Sequence, residues 1–317
     1  MLFLYLVLGF VALVAGGELL VRGAVALATR MGVSSLLVGL TVVGFGTSTP
    51  ELVTSLDAAF SGAPGIAVGN VVGSNIANIL LILGIAAIMS PIVVSKASFM
   101  RDGVCVMAAA LACVAVVLTG SLSRLPGLLL VLGLVGYIVY AWMRERQTSA
   151  APETAVVEGG PGPLVATLYA IGGIALTILG ARFLVSGATT LAASFGVPES
   201  IVGLTIVAVG TSLPELVTAV VAARKGQGDI AFGNVVGSNI YNVLGILGVT
   251  ALVRPIPVPP EIAGFDVWVM LGATVALVAV AVTSWRIGRG EGAALLAAYV
   301  AYVAWLTYSV LSGPGAV

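Results

Sequence analysis

The sequence predicts an all-α polytopic membrane protein with ten transmembrane helices in two inverted five-helix repeats. Three observations carry this. The chain is 60% hydrophobic and only 8% charged, its apolar stretches recur at bilayer-crossing lengths, and two polar motifs recur at one fixed offset. A soluble domain carries about a quarter of its residues as charges, so lipid is the expected solvent at a mean hydropathy of +1.18.

A helix needs about 20 residues to cross the hydrocarbon core. Stretches of that kind fall at 2–29, 36–61, 66–89, 103–121, 125–143, 164–194, 201–223, 229–252, 265–285 and 291–311. The first has no basic residues before its apolar run and continues past the length of a cleaved signal, so it reads as a transmembrane helix. The 13 basic and 13 acidic residues cancel. The basic residues form no tract that would follow a phosphate backbone, so no nucleic-acid partner is expected. Cys105 and Cys113 lie in one apolar stretch without Cys or His companions, which reads as buried packing and not as a metal cluster or disulfide framework.

With ten spans the connections alternate between the two sides. Arg30, Lys96, Arg101, Arg144, Arg146, Arg224, Lys225, Arg286 and Arg289 then share one side, against Arg124 and Arg254 on the other. That bias makes the first side cytoplasmic, with both termini outside. Arg22 and Arg182 fall within spans, where they snorkel or pair with an acid. Residues 144–163, RERQTSAAPETAVVEGGPGP, are polar and rich in Ala, Pro and Gly. They read as a cytoplasmic linker between a first repeat, 1–143, and a second, 164–317.

GLTVVGFGTSTPELVT at 39–54 returns as GLTIVAVGTSLPELVT at 203–218, identical at 12 of 16 positions, and GNVVGSNIANIL at 69–80 returns as GNVVGSNIYNVL at 233–244. Both matches have an offset of 164. Five spans per half is an odd number, so the second half inserts upside down, as in transporters whose two halves exchange roles. A duplication kept for packing alone would retain small and apolar residues; this one also retains Glu, Asn, Ser and Thr.

Gly44, Thr47, Ser48 and Glu51 lie near one helical face. Pro50 has no amide hydrogen for the Gly46 carbonyl and disturbs the preceding turn, freeing carbonyls as ligands. Ala208, Thr211, Ser212, Pro214 and Glu215 repeat the pattern in the seventh span. A carboxylate deep in a bilayer costs at least ~2.5 kcal/mol unless protonated, paired or cation-bound, which makes Glu51 and Glu215 the sharpest candidates for a transport site. Opposite them, Asn70, Ser74, Asn75 and Asn78 in span three and Asn234, Ser238, Asn239 and Asn242 in span eight supply neutral oxygens or orient the glutamates. Many oxygens with no sulfur or imidazole cluster suit hard cations such as calcium and sodium. Two carboxylates balance one calcium ion, and the same oxygens redistributed hold sodium instead. Gly39, Gly69, Gly73, Gly203, Gly233 and Gly237 read chiefly as packing positions where helices approach closely.

The paired GTSTPE and GTSLPE segments and the two GNVVGSNI segments closely resemble the alpha repeats of the cation/calcium antiporter superfamily, especially the prokaryotic sodium/calcium exchangers. In organisation the resemblance covers nearly the whole chain. It implies the sodium/calcium exchanger fold in an inner (plasma) membrane, and alternating access in which helices two, three, seven and eight enclose the ions while the first and sixth slide across them. It also implies exchange of about three sodium ions per calcium. Residue by residue, it implies a calcium site from Glu51 and Glu215 with carbonyls near Thr47 and Thr211. The implied sodium sites use Ser48, Ser74, Ser212, Ser238 and the carbonyls of Gly44 and Ala208, with Asn78 at the centre and Asn75 and Asn239 nearby. Calcium and sodium are substrates, and no cofactor, enzymatic activity or obligate protein partner is implied. One position departs from the pattern. Some relatives place aspartate three residues after the second GSN, where this chain has Asn242, and an amide does not titrate.

Other classes remain in view. A proton/calcium antiporter exchanges a proton at a buried glutamate; a potassium-dependent exchanger calls for a further carboxylate, against which Asn242 counts. A passive channel needs a continuous path where duplicated inverted halves favour exchange, and a scaffold gives no reason for two embedded Glu-centred motifs. Sodium-dependent calcium flux separates these classes.

Overall fold

The structure, a computed structural model, describes residues 2–148, 161–194 and 208–312. The elements are α1 (Leu2–Met31), α2 (Ser35–Thr47), α3 (Thr49–Phe60), α4 (Gly65–Met89), α5 (Lys96–Val117), α6 (Arg124–Thr148), α7 (Pro163–Ser194), α8 (Ala208–Thr211), α9 (Leu213–Arg224), α10 (Gly228–Val253), α11 (Ile262–Thr283) and α12 (Arg289–Ser312). Eight of these helices are long and apolar enough to cross a membrane, and α2 with α3, bent by 41°, makes a ninth span among the described residues. α8 and α9 are the counterpart of that bent pair. The first part of the expected span, 201–207, lies outside the described residues.

The two largest differences from the sequence reading are the start of α5 and the end of α6. α5 starts at Lys96, seven residues before the predicted span, because its charges are neutralised locally. The buried Asp102 carboxylate accepts from Arg101 Nε at 2.7 Å and from Tyr137 Oη at 3.0 Å. The same clip recurs in the other half, where Tyr302 Oη donates to Asp266 at 2.9 Å. α6 runs on to Thr148, into the predicted linker, since RERQT has good helix formers and no breaker. Residues 149–160 of the linker lie outside the described residues.

α4 and α10 form the centre: 78% of each apolar window is buried, against 11% for α12. Both leave α-helical winding for a π-helical stretch, at Asn78–Leu83 and Tyr241–Leu247, and such insertions gather at functional sites. α1 and α7 lie antiparallel across this centre. Gly9, Gly16 and Gly23 on α1 and Gly173, Gly180 and Gly187 on α7 recur every seven residues, two helical turns, and so form one stripe on each helix. Backbone meets backbone there. A Cβ added at Gly173 would lie 2.4 Å from the Leu20 nitrogen, at Gly23 2.5 Å from the Ala170 nitrogen and at Gly180 2.6 Å from the Leu13 nitrogen.

Four two-residue strands, β1 (Ile92–Val93), β2 (Ser121–Leu122), β3 (Ile256–Pro257) and β4 (Arg286–Ile287), follow the inversion. β3 lies 164 residues after β1 and β4 lies 165 after β2, and β1 pairs antiparallel with β4 and β2 with β3. Each ladder therefore joins the two halves. The turn into β2 uses Gly120 at φ 73, while the matching turn into β4 uses Trp285 at φ 53. That left-handed conformation is uncommon for a large residue; here the Trp285 ring packs edge-on against Phe99 with the Lys96 ammonium 5.5 Å over its face.

Candidate ion-binding site

The site is built where the broken helices meet the π-helical ones. At Ser48 the backbone leaves the helix (φ −80, ψ 11) and Pro50 sits in the first turn of α3; Ser212 (φ −90, ψ 9) and Pro214 do the same for α9. Proline is tolerated there because first-turn amides have no intrahelical acceptor. The predicted break at each proline is thus a fresh helix start, which aims Glu51 and Glu215 inward from the first turns of α3 and α9.

Each glutamate is held by the opposite repeat. Ser48 Oγ donates to Glu215 Oε1 at 2.9 Å, and Ser212 Oγ donates to Glu51 Oε1 at 3.1 Å. Both carboxylates are 1% exposed, and the second oxygen of each, Oε2, has no hydrogen-bond partner. Behind them the backbone is clamped: Asn70 Nδ2 donates to the Glu51 carbonyl at 3.0 Å and Asn234 Nδ2 to the Glu215 carbonyl at 3.1 Å. Thr47 Oγ1 donates to Asn234 Oδ1 at 3.1 Å, and Ser238 Oγ donates to the Gly44 carbonyl at 3.1 Å. Ser74 is buried at the equivalent place on α4. Ala208 opens the described part of α8, and Thr211, at the end of α8, is half-buried.

Four amides meet where α4 and α10 pass into π-helical winding, Asn75 and Asn239 on the preceding α-helical turn and Asn78 and Asn242 in the π-helical stretch itself. Asn78 Nδ2 donates to Asn239 Oδ1 at 3.0 Å and Asn242 Nδ2 to Asn75 Oδ1 at 3.0 Å. Asn75 Nδ2 turns to the Asn239 carbonyl at 3.3 Å and to Met270 Sδ at 3.7 Å. Asn78 Oδ1 and Asn242 Oδ1 are left buried without a partner. Among the described residues five buried oxygens lack a partner, the two carboxylate Oε2 atoms and the two amide Oδ1 atoms, related in pairs by the inversion, and Thr218 Oγ1; one buried donor, Asn239 Nδ2, is also unpaired. Buried polar groups are rarely unsatisfied, and acceptor oxygens without donors are the coordination chemistry of a hard cation.

Of the fourteen candidate positions, Ala208 is placed by its backbone and Ser74 by its burial on α4, and the others meet in or beside one buried centre. Further polar groups join it. Ser55 receives Asn70 Nδ2 at 2.9 Å, and Thr218 Oγ1 is buried without a partner. Ser55 is four residues after Glu51 and Thr218 three after Glu215, so extending the helical face by one turn finds them. Met270 carries no such signal, because a lone methionine in an apolar span reads as packing.

The family pattern described as sodium/calcium exchanger protein matches residues 1–143 and 165–308. The chain belongs to that family. Sodium/calcium exchanger MaX1 of Methanosarcina acetivorans is 35% identical, covering 96% of this chain and 98% of its own. Inner membrane protein YrbG of Escherichia coli is 37% identical over 95% of each chain, and the putative antiporter CaxA of Alkalimonas amylolytica is 35% identical over 94% and 96%. The solved structure of the sodium-calcium exchanger NCX_Mj, soaked with sodium and calcium, superimposes with a TM-score of 0.84 at 32% identity, covering 95% of this chain and 97% of that one. This exchanger-family chain is accordingly a multi-pass membrane protein with the inverted-repeat fold.

Proposed function

We propose that the chain is a secondary active antiporter that exchanges sodium for calcium by alternating access. The carrying observation is the reciprocal arrangement of Glu51 and Glu215, each tied through one oxygen to a serine of the other half and presenting a buried oxygen without a partner. The relatives named as sodium/calcium exchangers support the choice of ions.

In this reading Glu51 and Glu215 take calcium with carbonyls near Thr47 and Thr211. Their two charges neutralise one divalent ion, so the loaded centre crosses without net charge. Sodium disperses among Ser48, Ser74, Ser212, Ser238, the Gly44 and Ala208 carbonyls and the oxygens of Asn78 and Asn242, with Asn75 and Asn239 orienting the latter. Both loads need the same carboxylates, which makes them exclude each other. The resemblance to the sodium/calcium exchangers implies about three sodium ions for one calcium. With amides at both 78 and 242, the glutamates are the centre's only carboxylates among the described residues. The repeats comprise residues 1–143 and 164–317, joined by a cytoplasmic linker, in an inner (plasma) membrane with both termini outside.

Sealed proteoliposomes loaded with sodium test this. Calcium uptake that needs sodium on the opposite side supports it, and uptake driven by a pH gradient without sodium overturns it.

A further inference from the structure

The α1–α7 pair is symmetric within itself, but its seat on the core is not. The offset of 164 carries Gly9, Gly16 and Gly23 onto Gly173, Gly180 and Gly187, and the close approaches match across the pair. Yet α1 packs along α9, whereas among the described residues α7 makes no comparable contact with α3, the equivalent helix. Gly17 is pressed so near α9 that a Cβ there would lie 2.9 Å from Val217 Cγ1 and 3.5 Å from Val221 Cγ2. The same offset turns Gly17 into Ala181, Val217 into Val53 and Val221 into Asp57. In this conformation Val53 is 49% exposed and Asp57 is exposed.

Charges follow the same asymmetry. Lys225 Nζ, just past α9, donates to Glu18 Oε1 on α1. Arg22 Nε also donates to Glu18 Oε1, at 2.7 Å, but it rides on α1 itself, so among the described residues Lys225 is the partner that reaches Glu18 from the core. The position equivalent to Glu18 is Arg182 on α7, and it is exposed. Asp57 on α3 lies one turn before Ser61, the equivalent of Lys225. The unused seat therefore carries the same kind of pair with its signs exchanged, the base on the sliding pair and the acid on the core. No ion pair joins Arg182 to Asp57 among the described residues.

We propose that Glu18–Lys225 and Arg182–Asp57 are alternative latches. The first holds the α1–α7 pair in the present conformation, and the second holds it in the inverted one, where α7 takes on α3 the seat that α1 now has on α9. The inference rests on the alternating-access part of the functional reading and not on which ions are carried. Partly exposed pairs are weak, so each latch biases the ratio of the two conformations by roughly 2- to 5-fold. That is strong enough to balance the states and weak enough to break in every cycle.

The test is a cysteine pair, Val53→Cys with Ala181→Cys, in the full chain with Cys105→Ala and Cys113→Ala, reconstituted in liposomes. The rate of cross-linking by a short bifunctional reagent reads the population of the second seat. Lys225→Gln raises it about 2- to 5-fold, Asp57→Asn lowers it by a similar factor, and the two together return it near the parent. Lys225→Arg keeps the charge and retains the parent rate, which separates loss of the latch from loss of folding. Unchanged rates in Lys225→Gln or Asp57→Asn, or a pair that never cross-links in any background, overturn the proposal. The readout needs no transported ion, so it fails independently of the sodium/calcium assignment.

Discussion

Replacing Glu51 or Glu215 with glutamine removes a charge while keeping the shape. In Glu51→Gln the amide oxygen still accepts from Ser212 Oγ, as Oε1 does now at 3.1 Å. The NH2 group then occupies the place of Oε2, the buried oxygen without a partner. A ligand oxygen becomes a pair of donors aimed at a divalent ion, and the centre's charge falls from two negative to one. Removing one partner of a buried charge interaction costs about 3–5 kcal/mol, equivalent to roughly 10²- to 4×10³-fold in calcium affinity. Ser212→Ala leaves both carboxylates in place and removes a hydrogen bond to one of them, about 1.5–3 kcal/mol, so its effect on calcium binding is smaller and the two series rank the roles. Calcium flux in proteoliposomes, normalised to monodisperse protein, measures both. Exchange near the parent level in both glutamine variants would refute the assignment, and so would Ser212→Ala costing more than Glu51→Gln.

Gly173→Ala drives a methyl toward the Leu20 backbone at 2.4 Å; overpacking of this kind costs about 1–3 kcal/mol, and a lowered thermal midpoint checks it, while Gly172→Ala, with open space around it, leaves the midpoint unchanged. Asn78→Ala and Asn242→Ala each free an Asn acceptor on the other repeat, and are expected to reduce sodium-dependent exchange by comparable factors because the two bonds are equal at 3.0 Å. Unequal losses would show that the inversion does not extend to the centre. Tyr137→Phe leaves the Asp102 carboxylate with Arg101 and removes roughly 1.5–3 kcal/mol of stability, read as a lowered thermal midpoint. Single cysteines near residue 155 and at the C-terminus label from opposite membrane faces if the basic residues set the topology.

Much of the centre was legible because it is written twice. Glu51 with Glu215 and Ser48 with Ser212 stand at one offset, and a membrane makes each polar residue costly enough to need a reason. The broken helices were legible in Pro50 and Pro214. What the motifs did not disclose is which partner each side chain chooses. Ser48 meets the glutamate of the other repeat, a relation between segments far apart in the chain, and the Asn78–Asn239 bond depends on π-helical turns that no local residue pattern announces. The start of α5 was misread because Arg101 and Asp102 look like a span boundary until the Tyr137 hydroxyl, in another helix, is seen to close the pair. The heptad of glycines on α1 and α7 is visible in the sequence at 9, 16 and 23 and at 173, 180 and 187, but only the antiparallel contact turns it into a backbone seam.

Ion coupling is read by the reversal potential of calcium flux in sealed proteoliposomes under set sodium, proton and electrical gradients. Three sodium ions entering for each calcium leaving move one net positive charge inward, so a negative interior favours extrusion by roughly 2.3 kcal/mol per 100 mV. The expected flux requires sodium and reverses at the voltage for that stoichiometry. Flux that ignores sodium and follows the pH gradient would contradict it.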